Sequence, residues 1–155
     1  MIADKCFKGI RYVDATKVAL TLSKFLKESG LADYVVMVSH IGHNGRPGTP
    51  SDVEIAKNSH YIDLIIGGHS HSLIDPENKD PREPHLVKNL DGKLVPICQV
   101  GGQGEQIGKI DFDTETGKAV FSYIPINSSY DERAEKNYPA MNAWLAPYAE
   151  KVDKK

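Results

Sequence analysis

Three histidines lie directly after two short apolar runs of the sequence. His40 follows the run at residues 35–38, and His69 and His71 follow the run at residues 64–66 and a pair of glycines. Short continuous runs rich in β-branched residues predict buried strands. Because the site of an open α/β sheet lies at the carboxyl ends of its strands, these histidines are expected to converge there. Imidazole is the commonest metal-binding side chain, so the sequence predicts a metal site built on these three residues.

The segment Gly67-Gly68-His69-Ser70-His71 carries the sharpest signal. On an extended strand, two residues that are two positions apart point the same way. On a turn after a strand, they can instead reach two adjacent ions. Paired glycines permit unusual backbone angles and a close approach of the histidines to an ion. His43, in the loop after the first run, is a weaker candidate for a catalytic role. The alternative is that His43 is simply an exposed loop residue. We assign no role to the two remaining histidines, His60 and His85.

Two kinds of metal centre fit the histidines. Three imidazoles can form a single zinc site, whereas a two-metal site needs bridging carboxylates. Asp33 and Asp63 are expected at the wrong ends of their strands, and Asp52 lies in a helix-capping segment. Asp75 follows the histidine motif, but no Asp-His pair accompanies it. The ligand set within this chain is therefore expected to be incomplete for a two-metal centre.

The elements that would position the histidines can be read from caps and periodicity. Asp14 predicts the start of a helix over residues 15–29, which packs through apolar residues at helical spacing, namely Val18, Leu22, Phe25 and Leu26. Residues 34–39 and 63–66 are predicted strands. Between them, Ser51 and Glu54 form a capping box that begins a short helix ending near residue 58. A strand, a helix and a strand over this length predict a βαβ unit with parallel strands.

The rest of the chain reads as a loop, a strand, a hairpin and a helix. Residues 72–92 are polar and contain three prolines, which predicts a long surface loop. Residues 94–100 are a predicted strand, and residues 106–112 and 118–124 a predicted hairpin closed by the turn at 114–117. Apolar residues around Trp144 predict an amphipathic helix that is interrupted or kinked at Pro147.

Length, composition and charge limit the classes of protein to which the chain can belong. The chain has 155 residues, enough for one domain with a core, and a formal net charge of −2. That balance gives no electrostatic case for binding a nucleic-acid duplex or an anionic membrane. No apolar run approaches the roughly 20 residues of a membrane helix, and the first residues lack the apolar stretch of a signal peptide. The two cysteines, Cys6 and Cys98, do not form a C-x-x-C pair, and Cys98 is expected to be buried.

Four motifs in order resemble the calcineurin-like metallophosphoesterases, in particular the 5′-nucleotidase and 2′,3′-cyclic-nucleotide phosphodiesterase branch. They are SHIGH at residues 39–43, SDVEIAK at 51–57, DLIIGGHSH at 63–71 and PICQVGGQGEQIGKIDFD at 96–113. The resemblance covers about residues 7–124. It implies an α/β fold in which this chain is the C-terminal half of a four-layer sandwich, two mixed β-sheets flanked by helices.

The resemblance also implies chemistry. His40 and His69 would bind one divalent ion and His71 a second, the ions being zinc, manganese or similar. Metal-activated water would then hydrolyse phosphate esters of nucleotides. The family's D-x-H, G-D and G-N-H-E/D motifs do not occur in this sequence, nor does its C-terminal substrate domain. Residues 1–155 are therefore expected to be a partial catalytic domain whose partner is the missing half, in a periplasmic or extracellular protein.

Two other readings stay open. The chain could be a non-catalytic metal-binding or structural remnant of such a domain. An amidohydrolase also carries H-x-H after a strand, but its barrel typically needs about 250 residues, more than the 155 present. If the chain is half of a sandwich, its strands at residues 35–38 and 64–66 lack covering partners, so an exposed apolar surface is expected.

Overall fold

The computed structural model describes residues 8–46, 48–77, 82–126 and 138–152. The chain divides into two units, residues 1–124 and residues 125–155. Cys6 lies outside the described residues, as do parts of the predicted loop at 72–92. The helices and strands, in chain order, are α1 (Ala15–Glu28), β1 (Val36–Val38), α2 (Asp52–Asn58), β2 (Leu64–Ile66), β3 (Leu86–Lys88), β4 (Leu94–Cys98), β5 (Gln106–Asp113), β6 (Lys118–Pro125) and α3 (Pro139–Val152).

The predicted βαβ unit is confirmed. Strands β1 and β2 pair in parallel, with α2 between them in the chain. Helix α2 begins at the predicted cap, because the Glu54 amide donates to the Ser51 hydroxyl at 3.2 Å. Strand β4 extends the same sheet, since it pairs in parallel with β2 on the side away from β1. Three strand ends therefore point toward one edge of the sheet.

Strand β3 corrects the prediction of an unstructured loop over residues 72–92. It pairs antiparallel with β4 and completes the sheet order β1-β2-β4-β3. Val87 is buried opposite Val95, and Leu73 forms an isolated bridge with Val100. Ile74 is also fully buried. A strand of three residues shows too little alternation for its sequence to identify, and its pairing with β4 is what defines it.

Alternating side chains of the sheet supply two apolar clusters. One face packs against α2, through Ile65, Ile97 and other buried residues: Val53, Ile55, Ala56, Ile62, Val87 and Val95. The opposite face packs against the β5–β6 hairpin, where Leu64 and Cys98 meet Phe121. Neighbouring positions along each strand thus face different layers, as the period of two requires. The hairpin and the burial of Cys98 were both predicted and are confirmed. The mixed α/β architecture with two sheets is confirmed, and the four-layer arrangement stays a prediction.

Helix α1 has its predicted ends but not its predicted packing. The Lys17 amide donates to the Asp14 carboxylate at 2.8 Å, and Gly30 follows the helix at a φ of +70°. However, Val18, Leu22 and Phe25 are 38%, 54% and 58% exposed, so the expectation that they pack is wrong for these three residues, whereas Leu26 is half-buried.

The expected exposed apolar surface extends to the sheet. Strand β1 is an edge strand, and Val36 and Val38 are 46% and 77% exposed. The same expectation is wrong for β2, because Leu64 and Ile65 are buried in the two clusters. Together with the apolar side chains of α1, Val36 and Val38 leave apolar groups open to solvent on two neighbouring elements of the chain.

Asp63 lies at the amino end of β2, as predicted, and serves the fold. Its carboxylate accepts from the Val35 amide at 2.8 Å, pairs with Lys27 at 2.9 Å and also binds Lys93. Burial raises the pKa of Asp63, but these three donors outweigh burial and lower it overall. The buried carboxylate ties α1 to the start of the sheet, at the edge away from the histidines.

Helix α3 belongs to the second unit. It continues through Pro147, so it is not interrupted there, and the alternative of a kink at this residue stays a prediction. Met141 and Trp144 on this helix are 55% and 63% exposed. None of the helices in the described ranges has the length and apolar character needed to cross a membrane.

Candidate functional site

The loops that follow β1, β2 and β4 meet at the carboxyl edge of the sheet. His40 lies in the first loop, two residues after β1, and His69 in the second, three residues after β2. Main-chain hydrogen bonds hold these loops to neighbouring strands. The Ser39 amide donates to the Ile66 carbonyl at 2.9 Å, and the Gly67 amide donates to the Cys98 carbonyl at 2.8 Å. The parallel pairing of the strands therefore brings residues from separate parts of the chain to one edge, as predicted.

His40 and His69 are adjacent. Their ring centroids are 5.3 Å apart and their ring planes are inclined at 75°. A zinc–nitrogen bond of about 2.0–2.1 Å puts a ring centre about 3 Å from the ion, so two rings at a tetrahedral angle have centres about 5 Å apart. The spacing of the pair fits two ligands of one ion.

The histidine motif is a turn and not an extended segment. His69 and His71 have φ angles of +77° and +55°, in the left-handed region. Non-glycine residues adopt this region uncommonly, and such strained positions cluster at functional sites. The sequence allowed either an extended segment or a turn. The structure has the turn, the geometry in which the two histidines can reach two adjacent ions.

Glycines make room for two of the imidazoles. A Cβ atom on Gly68 would lie 2.8 Å from Nδ1 of His40. A Cβ atom on Gly102 would lie 2.9 Å from Cγ and Nδ1 of His71. The ring of His71 thus rests against the loop after β4. The glycine-rich segments are therefore required by the space that the histidine side chains occupy, and not only by the turns.

The described residues supply a pair of imidazoles and not a full coordination sphere. Within residues 8–46, 48–77, 82–126 and 138–152, no group of three or more His, Cys, Asp or Glu side chains is close enough to hold an ion. Of the three predicted ligands, the structure brings His40 and His69 together and places His71 in the same loop, against Gly102.

Asp52 lies beneath the glycine pair, a role that the sequence did not reveal. Its side chain is completely buried and accepts a hydrogen bond from the Ser39 hydroxyl. Burial raises the pKa of Asp52, and the Ser39 hydrogen bond opposes that shift. The second carboxylate oxygen, Oδ2, has no protein partner and faces Gly67. In the sequence this residue reads only as the first position of a helix, after the cap Ser51.

A buried amide supports the histidine motif from the other side. Gln99, directly after β4, is 3% exposed. Its Oε1 accepts from the Ser70 hydroxyl at 2.9 Å and from the Ser72 amide at 2.7 Å. Its Nε2 donates to the Gly68 carbonyl at 3.2 Å. No local pattern in the sequence distinguishes this glutamine, since its partners lie about thirty residues earlier.

His43 is fully buried, so the reading of an exposed residue is wrong. Neither of its ring nitrogens has a protein hydrogen-bond partner. Burial lowers its pKa, Glu83 raises it and His85 lowers it further, with a net downward shift. The backbone amide of His43 donates to the Ser70 hydroxyl at 3.1 Å. His43 therefore lies buried under the loops, and its weak catalytic candidacy stays a prediction.

Among the described residues, neither of the two histidines without an assigned role forms a group of three possible metal ligands with the pair. Nδ1 of His60 lies 2.9 Å from the Asp91 carboxylate, at the other end of β2. Nδ1 of His85 donates to the Ile97 carbonyl at 3.0 Å, and its ring stacks with Phe121 at 6.1 Å. Both contacts are structural.

Together these features define an α/β protein whose candidate site lies at the carboxyl edge of a mixed sheet, in loops that follow three parallel strands.

Comparisons with known proteins show what the chain is similar to. No protein-family model matches the chain. The trifunctional nucleotide phosphoesterase of Bacillus subtilis is 32% identical over 134 residues, which is 83% of this chain and 8% of that protein. The 5′-nucleotidase of Mus musculus is 33% identical over 58% of this chain and 17% of its own length. The 5′-nucleotidase of Vibrio vulnificus is 27% identical over 92% of this chain and 31% of its own length.

The resemblance found in the sequence is confirmed, because the chain is similar to nucleotide phosphoesterases and 5′-nucleotidases over most of its length. The chain spans less than a third of the length of these relatives. Among solved structures, the NAD nucleotidase of Haemophilus influenzae superimposes with a TM-score of 0.58 over 93% of this chain and 35% of its own, at 18% identity. That likeness supports the fold.

Proposed function

We propose that the chain is part of the catalytic domain of a 5′-nucleotidase-like phosphohydrolase that uses two divalent ions to hydrolyse phosphate esters of nucleotides. The observation that carries the proposal is the adjacent pair His40 and His69, with rings 5.3 Å apart at the carboxyl edge of the sheet. The similarity to nucleotide phosphoesterases supports the substrate class. By the same resemblance, the parent protein works in the periplasm or outside the cell.

In this proposal, His40 and His69 bind one ion and His71 binds the other. The ions are zinc, manganese or similar. When bound, they supply a nucleophilic water and neutralise charge on the phosphoryl oxygens. This chain's own residues hold the imidazoles in place: Gly68 and Gly102 leave room for the rings of His40 and His71, and the turn gives His69 and His71 left-handed backbone angles. We assign the bridging carboxylate and the remaining ligands to other parts of the catalytic domain.

The exposed apolar groups support a partial domain. Val38 on the edge strand β1 is 77% exposed, and Phe25 on α1 is 58% exposed. An uncovered edge strand offers unpaired backbone groups as well as apolar side chains. We propose that the missing half of the catalytic domain covers these elements and brings the remaining metal ligands to the histidines.

A second candidate is a non-catalytic metal-binding or structural remnant of the same domain. The observation that favours it is that the described residues contain no group of three metal-ligating side chains. The two candidates differ in whether activity appears when the other half of a catalytic domain is supplied.

Complementation tests the proposal. The chain is co-expressed with the upstream half of the catalytic domain of a homologous nucleotide phosphoesterase. Phosphate release from AMP and hydrolysis of bis(p-nitrophenyl) phosphate are measured with added Mn²⁺ or Zn²⁺. We expect no useful turnover from the chain alone and metal-dependent turnover from the pair. His69→Ala should abolish it, whereas His60→Ala, which alters a histidine at the opposite end of β2, should leave it unchanged.

Two results would contradict the proposal. Turnover of about 10 per second from the chain alone, abolished by His69→Ala, would show a self-sufficient enzyme and refute the partial-domain reading. A soluble complex of the two halves that binds metal but releases no phosphate would favour the non-catalytic alternative.

A further inference from the structure

The side chain of Gln99 contacts the histidine turn at three points. It is 3% exposed and lies directly after β4, below the loop that follows β2. Its amide oxygen accepts from the Ser70 hydroxyl at 2.9 Å and the Ser72 amide at 2.7 Å. Its amide nitrogen donates to the Gly68 carbonyl at 3.2 Å. A buried amide with all of these bonds made holds its partners in one geometry.

The three contacts bracket both histidines of the turn. Gly68 precedes His69, Ser70 lies between the two histidines, and Ser72 follows His71. Both histidines have left-handed backbone angles, with φ of +77° and +55°. Non-glycine residues keep such angles only when surrounding structure holds them. The Gln99 side chain is positioned to supply that restraint.

The same network reaches the loop that carries His40. The Ser70 hydroxyl, which donates to Gln99, accepts from the His43 amide at 3.1 Å and from the Ser72 hydroxyl at 3.1 Å. Gln99 therefore links the loops after β1, β2 and β4 through a single serine. Displacement of its side chain would release the turn and loosen its connection to the neighbouring loop.

We propose that Gln99 is a positioning residue that fixes His69 and His71 through the backbone of their turn. For its effect on metal binding, the inference rests on the proposed metal site. For its effect on the turn itself, it rests only on the contacts above. By analogy with groups that orient metal ligands from behind, its loss should weaken metal binding without removing a ligand.

The first measurement needs no metal. Amide hydrogen exchange of Ser72 and Ile74 is compared in the full chain and in Gln99→Met, which keeps the length of the side chain but cannot form the three bonds. The Ser72 amide donates to the Gln99 side chain, whereas the Ile74 amide donates to the Gln99 main-chain carbonyl at 3.0 Å. We expect Ser72 protection to fall at least tenfold relative to Ile74, and the ring ¹⁵N shifts of His69 and His71 to move.

Asn89→Leu is the matched control. Asn89 is 6% exposed and its amide oxygen accepts from the Asp91 and Lys93 amides at 3.0 and 2.9 Å, in the turn between β3 and β4. Asn89→Leu thus removes a buried side-chain amide that accepts two main-chain hydrogen bonds, away from the histidine turn. We expect it to lower overall stability while leaving the ratio of Ser72 to Ile74 exchange, and the histidine ring shifts, unchanged.

The second measurement is Zn²⁺ titration calorimetry on the same three proteins, each in complex with the upstream half used for complementation. We expect Gln99→Met to weaken Zn²⁺ binding by about 10- to 100-fold, and Asn89→Leu to change it by less than about twofold. If the complex of the unaltered chain binds no Zn²⁺ while Gln99→Met still loses Ser72 protection, the proposed metal site fails and the role of Gln99 in holding the turn stands.

Two outcomes would overturn the inference. One is unchanged Ser72 exchange and unchanged histidine shifts in Gln99→Met. The other is a change of equal size in Asn89→Leu, which would reveal a general loss of stability. If Gln99→Met does not fold, Gln99→Glu provides the test, because its carboxylate retains the acceptor for Ser70 and Ser72. Glutamate cannot donate to the Gly68 carbonyl, so the ring ¹⁵N shifts of His69 are then expected to move, and unchanged shifts would refute the role of Gln99.

Discussion

Replacing Gly67 with alanine is expected to destabilise the chain through one buried neighbour, Asp52. A Cβ atom at position 67 would overlap Oδ2 of Asp52 and lie 3.2 Å from its Cγ and 3.3 Å from Nε2 of Gln99. The Asp52 side chain is completely buried and is held by the Ser39 hydroxyl, so it has little room to move. Gly67 does not have a positive φ, so backbone strain does not contribute.

The size of the effect follows from two opposing contributions. Overpacking a buried site costs about 1–3 kcal/mol. Where alanine fits, replacing glycine instead stabilises a protein by about 0.4–1 kcal/mol, because it restricts the unfolded chain. The clash with a fixed carboxylate is the larger contribution. We therefore expect Gly67→Ala to lower the free energy of unfolding by about 2 kcal/mol, a large fraction of the 5–15 kcal/mol typical of a domain.

A double-mutant cycle isolates the clash. Urea unfolding followed by circular dichroism gives the free energy of unfolding for Gly67→Ala, Asp52→Ala and the double variant. Asp52→Ala removes both carboxylate oxygens, so the cost of Gly67→Ala in that background should fall by at least about 1 kcal/mol. Equal costs in the two backgrounds, or a stabilised Gly67→Ala, would refute the close contact between Gly67 and Asp52 on which this reasoning depends.

Three further predictions concern charge, a thiol and the exposed sheet edge. Burial raises the pKa of Asp63, but hydrogen bonds from Lys93, Val35 and Lys27 lower it overall. Its contribution to stability is therefore full above the ordinary aspartate pKa of about 3.9 and is lost as pH falls toward the lower folded-state value. Asp63→Asn should flatten the decline of stability below about pH 4 in urea titrations, and an unchanged decline would contradict this role. Burial raises the pKa of the Cys98 thiol to about 12, so in a Cys6→Ser background an aromatic disulfide reagent at neutral pH should label the chain only after unfolding, and rapid labelling of the folded chain would contradict the burial. Val38 is 77% exposed on the edge strand, so Val38→Lys should reduce self-association in sedimentation velocity while changing the free energy of unfolding by less than about 0.5 kcal/mol; a large loss of stability would mean that this edge is covered within the chain.

The sequence by itself determined the features that depend on neighbours along the chain. The caps at Asp14 and Ser51 begin the two helices of the first unit, because a side-chain oxygen satisfies an amide three residues away. The apolar runs form β1 and β2, and the turn at 114–117 closes the hairpin. The order of the motifs pointed to the resemblance to nucleotide phosphoesterases, and the apolar runs predicted that His40 and His69 follow parallel strands, where the sheet brings them together.

Tertiary structure alone decided the features that depend on residues far apart in the chain. Strand β3 exists because it pairs with β4, and its three residues carry no periodic signal of their own. The expected packing of Leu22 and Phe25 depended on a partner surface that the described residues do not provide. Asp52 and Gln99 look ordinary in the sequence. They reach the histidine turn only when strands about thirty residues apart lie side by side, because hydrogen bonding and burial are set by distance in space and not by position along the chain.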